Sequence, residues 1–451
     1  MEKINLTQGA IFSKLIRFSL PMIAGNLLQQ VYNLVDTLVV GRCIGSDALA
    51  AVGSAYTLMT FITSVIIGLC MGSGAFFSED CGAGGYAKLK EDIRLSFWFI
   101  FSVSAVMGIA VYPARDKILR LLQTPQELLL PTREYVTVVF GGIIFVFLYN
   151  FFAYLLRAMG ISSIPLIFLA VSAVLNIALD IWFVVGLDMG VGGAASATVL
   201  AQAVAGIGLS IYSLFKLPIL KERHDTKKLN FSRMKEIIAG DVATGIQQSV
   251  MNFGILMIQG LVNSFGATVM ASFSAAVKID TLAYMPAQEF GNAYSLFVSQ
   301  NFGAGERGRI RKGTRISFAL SALFCLAVSV LICMTAPDLM RLFVESDETA
   351  VIAGGAHYLR IEGALYAGIG ILFLWYGYFR GIGKPQISLL LTVVSLGTRV
   401  LLSYLFAPHT PLGVTAIWCS IPFGWILADI IGLCLYRKTR HEALKNAEKS
   451  A

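Results

Sequence analysis

Charge is scarce in this sequence. Only 14% of its 451 residues are Asp, Glu, Lys or Arg, whereas soluble domains carry about a quarter. So little charge cannot dress a water-facing surface. Apolar residues make up 56% and aromatics 11%, which fits an integral membrane protein with aromatic anchors at its interfaces. Histidine is scarcer still. His224, His357, His409 and His441 are dispersed and form no cluster. The seven cysteines (Cys43, Cys70, Cys81, Cys325, Cys333, Cys419 and Cys434) are scattered and lack metal-ligand spacing. They read as small apolar residues. No GxxxxGK[ST] loop offers a seat for ATP. Gly72-Ser73-Gly74 is not a nucleophile elbow, and no other enzyme constellation stands out. The polar N-terminus and the first apolar stretch show no cleavable signal pattern.

What the chain does contain is a duplication. Ser78-Glu79-Asp80-Cys81-Gly82-Ala83-Gly84 returns as Ser299-Gln300-Asn301-Phe302-Gly303-Ala304-Gly305, 221 residues later. Arg94-Leu95-Ser96 returns as Arg315-Ile316-Ser317 at the same offset. Arg157-Ala158-Met159-Gly160 becomes Arg380-Gly381-Ile382-Gly383, and Gly190-Val191 becomes Gly413-Val414, both at 223. The period is far too long for a solenoid. Duplicated apolar halves point instead to a transporter with a site between two similar bundles. Gly82-Ala83-Gly84-Gly85 reads as a loop turn rather than a phosphate cradle, because its copy follows a membrane span. Without ATP machinery, an ion gradient would have to drive transport.

A spanning helix needs roughly 20 mostly apolar residues. Twelve stretches qualify, at about 16–40, 48–77, 95–113, 135–156, 162–186, 193–215, 237–263, 268–299, 316–336, 356–379, 387–407 and 413–436. They lack the strict alternation of barrel strands, and lipid forbids unsatisfied backbone, so helices are expected. Spans two and eight are over-long and should tilt or protrude. The expected divisions are a first lobe at 1–215, a charged linker at 216–236 and a second lobe at 237–451.

Basic residues orient the chain. Of the 35 Lys and Arg, 26 fall on the side of the N-terminus, the 78–94, 216–236 and 301–315 loops and the C-terminal tail, and six on the other. By the positive-inside rule both termini and the linker are cytoplasmic, in the inner membrane. The net charge of +8 then faces anionic lipid rather than nucleic acid. With six spans in each half, the copies run in the same direction, as parallel repeats about an axis near the membrane normal.

Polar groups inside the spans are expensive and usually face a cavity or a partner. Span one carries Asn26, Gln29, Gln30, Tyr32, Asn33 and Asp36, too polar a set for a lipid-facing helix. Tyr32 and Asp36 are four apart and share a helical face, as do Asn176 and Asp180 in span five. Small residues at 192–197 let span six pack closely and present Thr198. Asp36 and Asp180 are read as a coupling-ion site. Two carboxylates in one dry pocket cannot both ionise easily, so one can hold a proton. The oxygens of Tyr32, Asp36, Asn176, Asp180 and Thr198 could equally hold Na⁺. The alternative is a buried polar network that only locks helices together.

The second half carries Lys278, Asp280, Glu289, Arg360, Glu362, Arg399 and Asp429 in or near its spans. Internal pairing is one reading. Attraction of a cationic substrate by Glu289 or Glu362 is the other. Gln29, Gln30, Asn33, Gln247, Glu289, Glu362 and Arg399 are the candidate substrate-cavity residues. Pro21 and Pro286 are candidate hinges, since proline frees backbone carbonyls and allows bending.

At these residues the chain resembles the multidrug and toxic compound extrusion (MATE) family, within a wider group that includes lipid-linked saccharide flippases. The resemblance covers roughly residues 10–437. It rests on Gln29-Gln30 with Asp36, both copies of Ser-x-x-x-Gly-Ala-Gly, Arg157-Ala-Met-Gly, Asn176-x-x-x-Asp180 and the run from Gly190 to Thr198. It implies two six-helix lobes in a V, related by pseudo-two-fold symmetry, with a central cavity that opens alternately to each side. It implies export of bulky, often cationic or amphipathic small molecules in exchange for H⁺ or Na⁺, with no cofactor, no ATP and a monomeric chain. The DinF-like branch fits better than the NorM-like one. Its ion site maps onto Tyr32, Asp36, Asn176, Asp180 and Thr198, and implies a bend of span one near Pro21. NorM-like members place a key acid in span seven, where this chain has only Asp241, so no second coupling site is expected. Glu289 after Pro286 departs from many relatives. A lipid or lipid-linked sugar flippase is the rival reading, kept alive by Arg360 and Arg399.

Overall fold

The computed structural model describes residues 3–121, 125–221 and 231–450. It contains long helices and no strand among the described residues. The first half runs α1 (Ile11–Cys43), α2 (Ser46–Ala83), α3 (Tyr86–Leu121), α4 (Leu129–Gly141), α5 (Ile143–Ala158), α6 (Ser163–Asp180) and α7 (Gly190–Lys216). A single turn, α8 (Pro218–Lys221), follows. The second half runs α9 (Phe231–Asn263), α10 (Ala267–Gly303), α11 (Arg307–Arg341), α12 (Thr349–Gly363), α13 (Tyr366–Gly381), α14 (Pro385–Phe406) and α15 (Val414–Ser450).

The duplication is visible element by element. Helices α1 and α9 have 33 residues each, α2 and α10 have 38 and 37, and α3 and α11 have 36 and 35. Both halves also break at the same place. Helices α4 and α5 meet at Gly142 with a 43° bend, and α12 and α13 meet across Ala364-Leu365 with a 53° bend. Counting each bent pair once leaves six rods in each half. The repeated glycines explain where the rods end. Gly84 and Gly305 have φ of 68° and 73°, and Gly160 and Gly383 have 85° and 73°. A side chain resists that left-handed conformation, so glycine closes these helices in both copies.

At 1.5 Å per residue, a rod of more than 30 residues exceeds a hydrocarbon core of about 30 Å, so its ends project. Eight helices and the two bent pairs are long and apolar enough to cross a membrane. The remaining rods are α9 and α10, whose charged residues include Asp241, Lys278, Asp280 and Glu289. Their length and repeat position complete the twelve. Pro21 and Pro286 lie inside unbroken helices.

Contacts divide the structure into two compact units, Met1–Ser249 with Ser299–Arg309, and Val250–Val298 with Ile310–Ala451. The boundary therefore falls within α9 and α10 rather than in the charged linker, whose Arg223, Lys227 and Lys228 lie outside the described residues. The first 19 residues of α9 belong to the first unit for a physical reason. Arg233 reaches Asp92 at 2.6 Å and Asp80 at 3.6 Å. Ser73 donates a 2.6 Å hydrogen bond to Asp241. Gly68 and Gly72 let the α9 backbone approach, because a Cβ there would meet Gly245 and Asp241 at 2.6 and 2.8 Å. The 299–309 segment is held similarly. The Arg309 guanidinium donates to the carbonyls of Leu6, Gly9 and Gln8 at 3.1, 2.7 and 3.0 Å.

The ends of α2 and α10 cross at a repeated glycine pair. A Cβ on Gly82 would overlap the Gln300 carbonyl, and one on Gly303 the Glu79 carbonyl. Gly82→Ala and Gly303→Ala should each destabilise the purified protein by about 1–3 kcal/mol, read as a lower Tm in detergent. Gly260→Ala, with open space around it, is the control and should change little.

Candidate functional site

The first-half site is assembled from α1, α4, α6 and α7. Gly25 of α1 faces Leu166 and Leu169 of α6. The Ser172 hydroxyl donates to the Ala201 carbonyl at 2.8 Å and ties α6 to α7. Val191, Gly192, Gly193, Ala194, Ala195 and Ala197 are buried, and this run of small residues admits α4. Asp180 is the last α-helical residue of α6, where the helix widens into a π turn, Ile181–Gly186. Such turns recur at functional sites because they re-aim neighbouring side chains.

These elements bring the carboxyl groups of Asp36 and Asp180 within hydrogen-bonding reach of each other. Asp180 is fully buried and Asn176 nearly so. Among the described residues, no hydrogen-bond partner reaches Asp36 Oδ1, either oxygen of Asp180, or either amide atom of Asn176. Two carboxylates cannot hydrogen bond each other unless one carries a proton. Thr198 donates back to the Ala194 carbonyl at 3.1 Å. Tyr32 interacts with Gln29 and faces Asp36. All five expected residues thus lie on the elements that build one site. Sequence reasoning missed Tyr135 of α4, which is buried near Thr198, Tyr32 and both acids.

The cavity candidates do not gather in one place. Gln30 and Asn33 lie half-buried on α1 and make no side-chain hydrogen bond among the described residues. Gln247 is buried in the first unit with its Oε1 unpartnered. Glu289 accepts from Asn292 at 3.2 Å, and Asn292 in turn accepts from Arg380 at 3.0 Å, on the face between α10 and α13.

Glu362 and Arg399 do come together, with Asp280, in a second-unit cavity of about 80 Å³. The Tyr366 hydroxyl donates to Asp280 at 2.7 Å. Tyr358 donates to its other oxygen at 3.4 Å, its ring held edge-on by Phe273 and Trp418. Glu362 and Asp280 face each other within hydrogen-bonding reach. The second half therefore has a buried acid pair that the sequence did not lead us to expect. The only foreshadowing in the sequence is that Tyr135 and Tyr358 stand 223 apart, the local repeat offset. The Arg399 charge acts on both Asp280 and Glu362, without a contact. None of Lys278, Arg360 and Arg399 forms an ion pair with these acids among the described residues.

A family profile, MatE, matches residues 21–182 and again 243–405. The chain belongs to the MatE family. The double match is the duplication read from the sequence. This MatE chain is 29% identical to the probable multidrug resistance protein YpnP of Bacillus subtilis, over 99% of each chain. It is 26% identical to the probable multidrug resistance protein NorM of Thermotoga maritima, over 93% of this chain and 90% of that one. Multidrug export protein MepA of Staphylococcus aureus is 23% identical, over 92% and 91%. Among solved structures, an outward-facing multidrug resistance MATE family transporter of the MOP superfamily overlays with a TM-score of 0.91 and 24% identity. A MOP superfamily transporter from Pyrococcus furiosus overlays with 0.90 and 23%. Each covers 99% of both chains, which establishes the twelve-helix fold. The protein crosses the membrane many times.

The difference between paired and unpaired acids can be measured. Asp92→Ala removes the most closely held of the three carboxylates around Arg233 and should cost about 1–3 kcal/mol, seen as a clear fall in Tm. Asp36→Asn and Asp180→Asn remove charges that no protein donor supports, and should leave Tm unchanged or raised.

Proposed function

We propose that this chain is an ion-coupled antiporter that exports bulky cationic or amphipathic organic compounds in exchange for H⁺ or Na⁺. One observation carries the coupling: the Asp36–Asp180 pair, whose buried Asp36 Oδ1 and both Asp180 oxygens no donor reaches among the described residues. Relatives named for multidrug resistance and export support the cargo class.

An ionised carboxylate in a dry bundle costs several kcal/mol after relaxation. A proton shared by the pair removes one charge and creates a hydrogen bond. A Na⁺ held by the pair, with oxygens from Tyr32, Asn176 and Thr198, neutralises it from outside. Either way the loaded pair tolerates a water-free state that the empty pair resists. The ion then biases the equilibrium between conformations by its differential affinity for them, which is what coupling requires. A membrane potential adds about 2.3 kcal/mol per charge per 100 mV. Asp36, on α1, is the principal carboxylate, and Asp180 and Asn176 tune it. Tyr135 and Thr198 supply hydroxyls at its edge. The basic loops orient the chain with both termini cytoplasmic in the inner membrane. The reading needs no ATP, no catalysis and no second subunit. Sites built around acid pairs disfavour the phosphate-bearing cargo of a lipid-linked sugar flippase.

Proteoliposomes with a proton gradient and a Na⁺ gradient imposed separately test the proposal. At least one gradient should drive efflux of a fluorescent organic cation. Asp36→Asn should abolish that driven efflux while the folded protein binds the cation within a few-fold of the original affinity. Efflux indifferent to both gradients, or undiminished in the variant, would sink the coupling assignment.

A further inference from the structure

Arg399 on α14 presents a physical problem. It lines the second-unit cavity beside Asp280 and Glu362, yet makes no hydrogen bond or ion pair among the described residues, and its Nε is buried without a partner. A guanidinium inside a membrane helix is costly, and such residues normally pair with acids or carbonyls. Here two carboxyls line the same cavity, but they are engaged with each other and with tyrosines. Tyr366 and Tyr358 donate to Asp280, while Glu362 keeps one buried oxygen unpartnered.

The repeat sharpens the point. At the local offset of 223, Arg399 stands where the first half has Asn176, and Tyr358 stands where it has Tyr135. One half surrounds its acid pair with neutral amide and hydroxyl groups. The other half, at the same place in the same fold, has a fixed positive charge. The walls are otherwise largely apolar, with Met251, Leu396 and Trp425 among them, so charges inside interact strongly.

We infer that Arg399 is a tethered counter-cation that competes with a small positively charged group, an alkali cation or an alkylammonium head, for the Asp280 and Glu362 carboxylates. With the carboxylates empty, the guanidinium can swing onto them. A cation that enters must share the carboxylates with a guanidinium whose charge already acts on both. A cavity of about 80 Å³ takes a small cation or one cationic head, not a drug-sized molecule of roughly 300 Å³ or more. Arg399 would then weaken cation binding and hasten release, which makes it a specificity residue rather than part of the binding set. The inference rests on the exchange of cations proposed above, but not on Asp36, which lies in the other half.

The test is cation titration of the purified full-length protein, followed by tryptophan fluorescence, since Trp425 lines the cavity. NaCl and methylammonium chloride are titrated separately, at ionic strength held constant with tetrapropylammonium chloride. Arg399→Gln should lower the half-saturating concentration of at least one cation tenfold or more, as expected for removing a nearby like charge. The winning salt identifies the source of the positive group. Arg399→Lys should stay within about threefold of the original protein, and Arg399→Asn, which copies the first half, should behave like Arg399→Gln. An Arg399→Gln variant of unchanged Tm whose titrations match the original would overturn the inference. So would cation responses that survive intact in Asp280→Asn/Glu362→Gln. If Asp36→Asn spares driven efflux while Arg399→Gln tightens cation binding, the coupling assignment fails and this inference stands.

Discussion

Asp180 is fully buried and meets Asp36, whose Oδ1 is buried too, and that constraint governs the chemistry of the first half. In water, two adjacent carboxylates are unremarkable. Among packed helices their charge must be cancelled by something mobile, because no protein donor is at hand and the cost of leaving them ionised is several kcal/mol per group. Asp36 sits on α1 and Asp180 at the π turn after α6, so the contact also reports how those helices lie. Whatever neutralises the pair acts on helix position at the same time, and ion occupancy can bias a conformational equilibrium only through such a link.

The two halves keep one scaffold and vary its filling. Helix lengths, the glycine turns and the bent fourth rod are retained in both. So is a tyrosine at the cavity edge, Tyr135 or Tyr358. The surrounding charges are not retained. Acids come from α1 and α6 in the first half, but from α10 and α12 in the second. Asn176 is exchanged for Arg399. Asp280 receives two tyrosine hydrogen bonds, whereas Asp180 receives none. The first-half pair is therefore the one that most needs an outside ion, and the second is partly satisfied by its own structure.

The fold was largely legible because lipid leaves few choices. Long apolar runs must be helices, and a shared offset near 222 makes the halves copies. Asp36, Asn176, Asp180 and Thr198 were legible because polar side chains in such runs are too costly to be accidental. Tyr135 was not, since a buried tyrosine in a bundle carries no signal until its neighbours are known. Nor was the pairing of Asp280 with Glu362, which lie 82 residues apart on different helices. The breaks in the bent rods were not legible either. Gly142 lies where α4 meets α7 closely, with a Cβ there meeting Val199 at 2.7 Å, and nothing in the sequence marks that approach. The unit boundary inside α9 depends on Arg233, Asp241 and two small-residue contacts, each unexceptional in sequence.

Acidic residues in this protein fall into a graded series, and the grade tracks what each can do. Asp92 is fully buried but bound by Arg233 at 2.6 Å, so its charge is already cancelled and it fastens helices. Asp241 takes one hydrogen bond from Ser73 at 2.6 Å and has one oxygen unpartnered. Asp280 takes two from tyrosines. Among the described residues, Asp36 Oδ1 and both Asp180 oxygens take none. A paired carboxylate has little to gain from a proton or a cation, and an unpaired one has a great deal. Burial alone does not separate fastening from function, since Asp92 and Asp180 are equally buried. The supply of donors does, and it places the chemistry of the first half at the end of α6, where Asp180 stands just before the π turn.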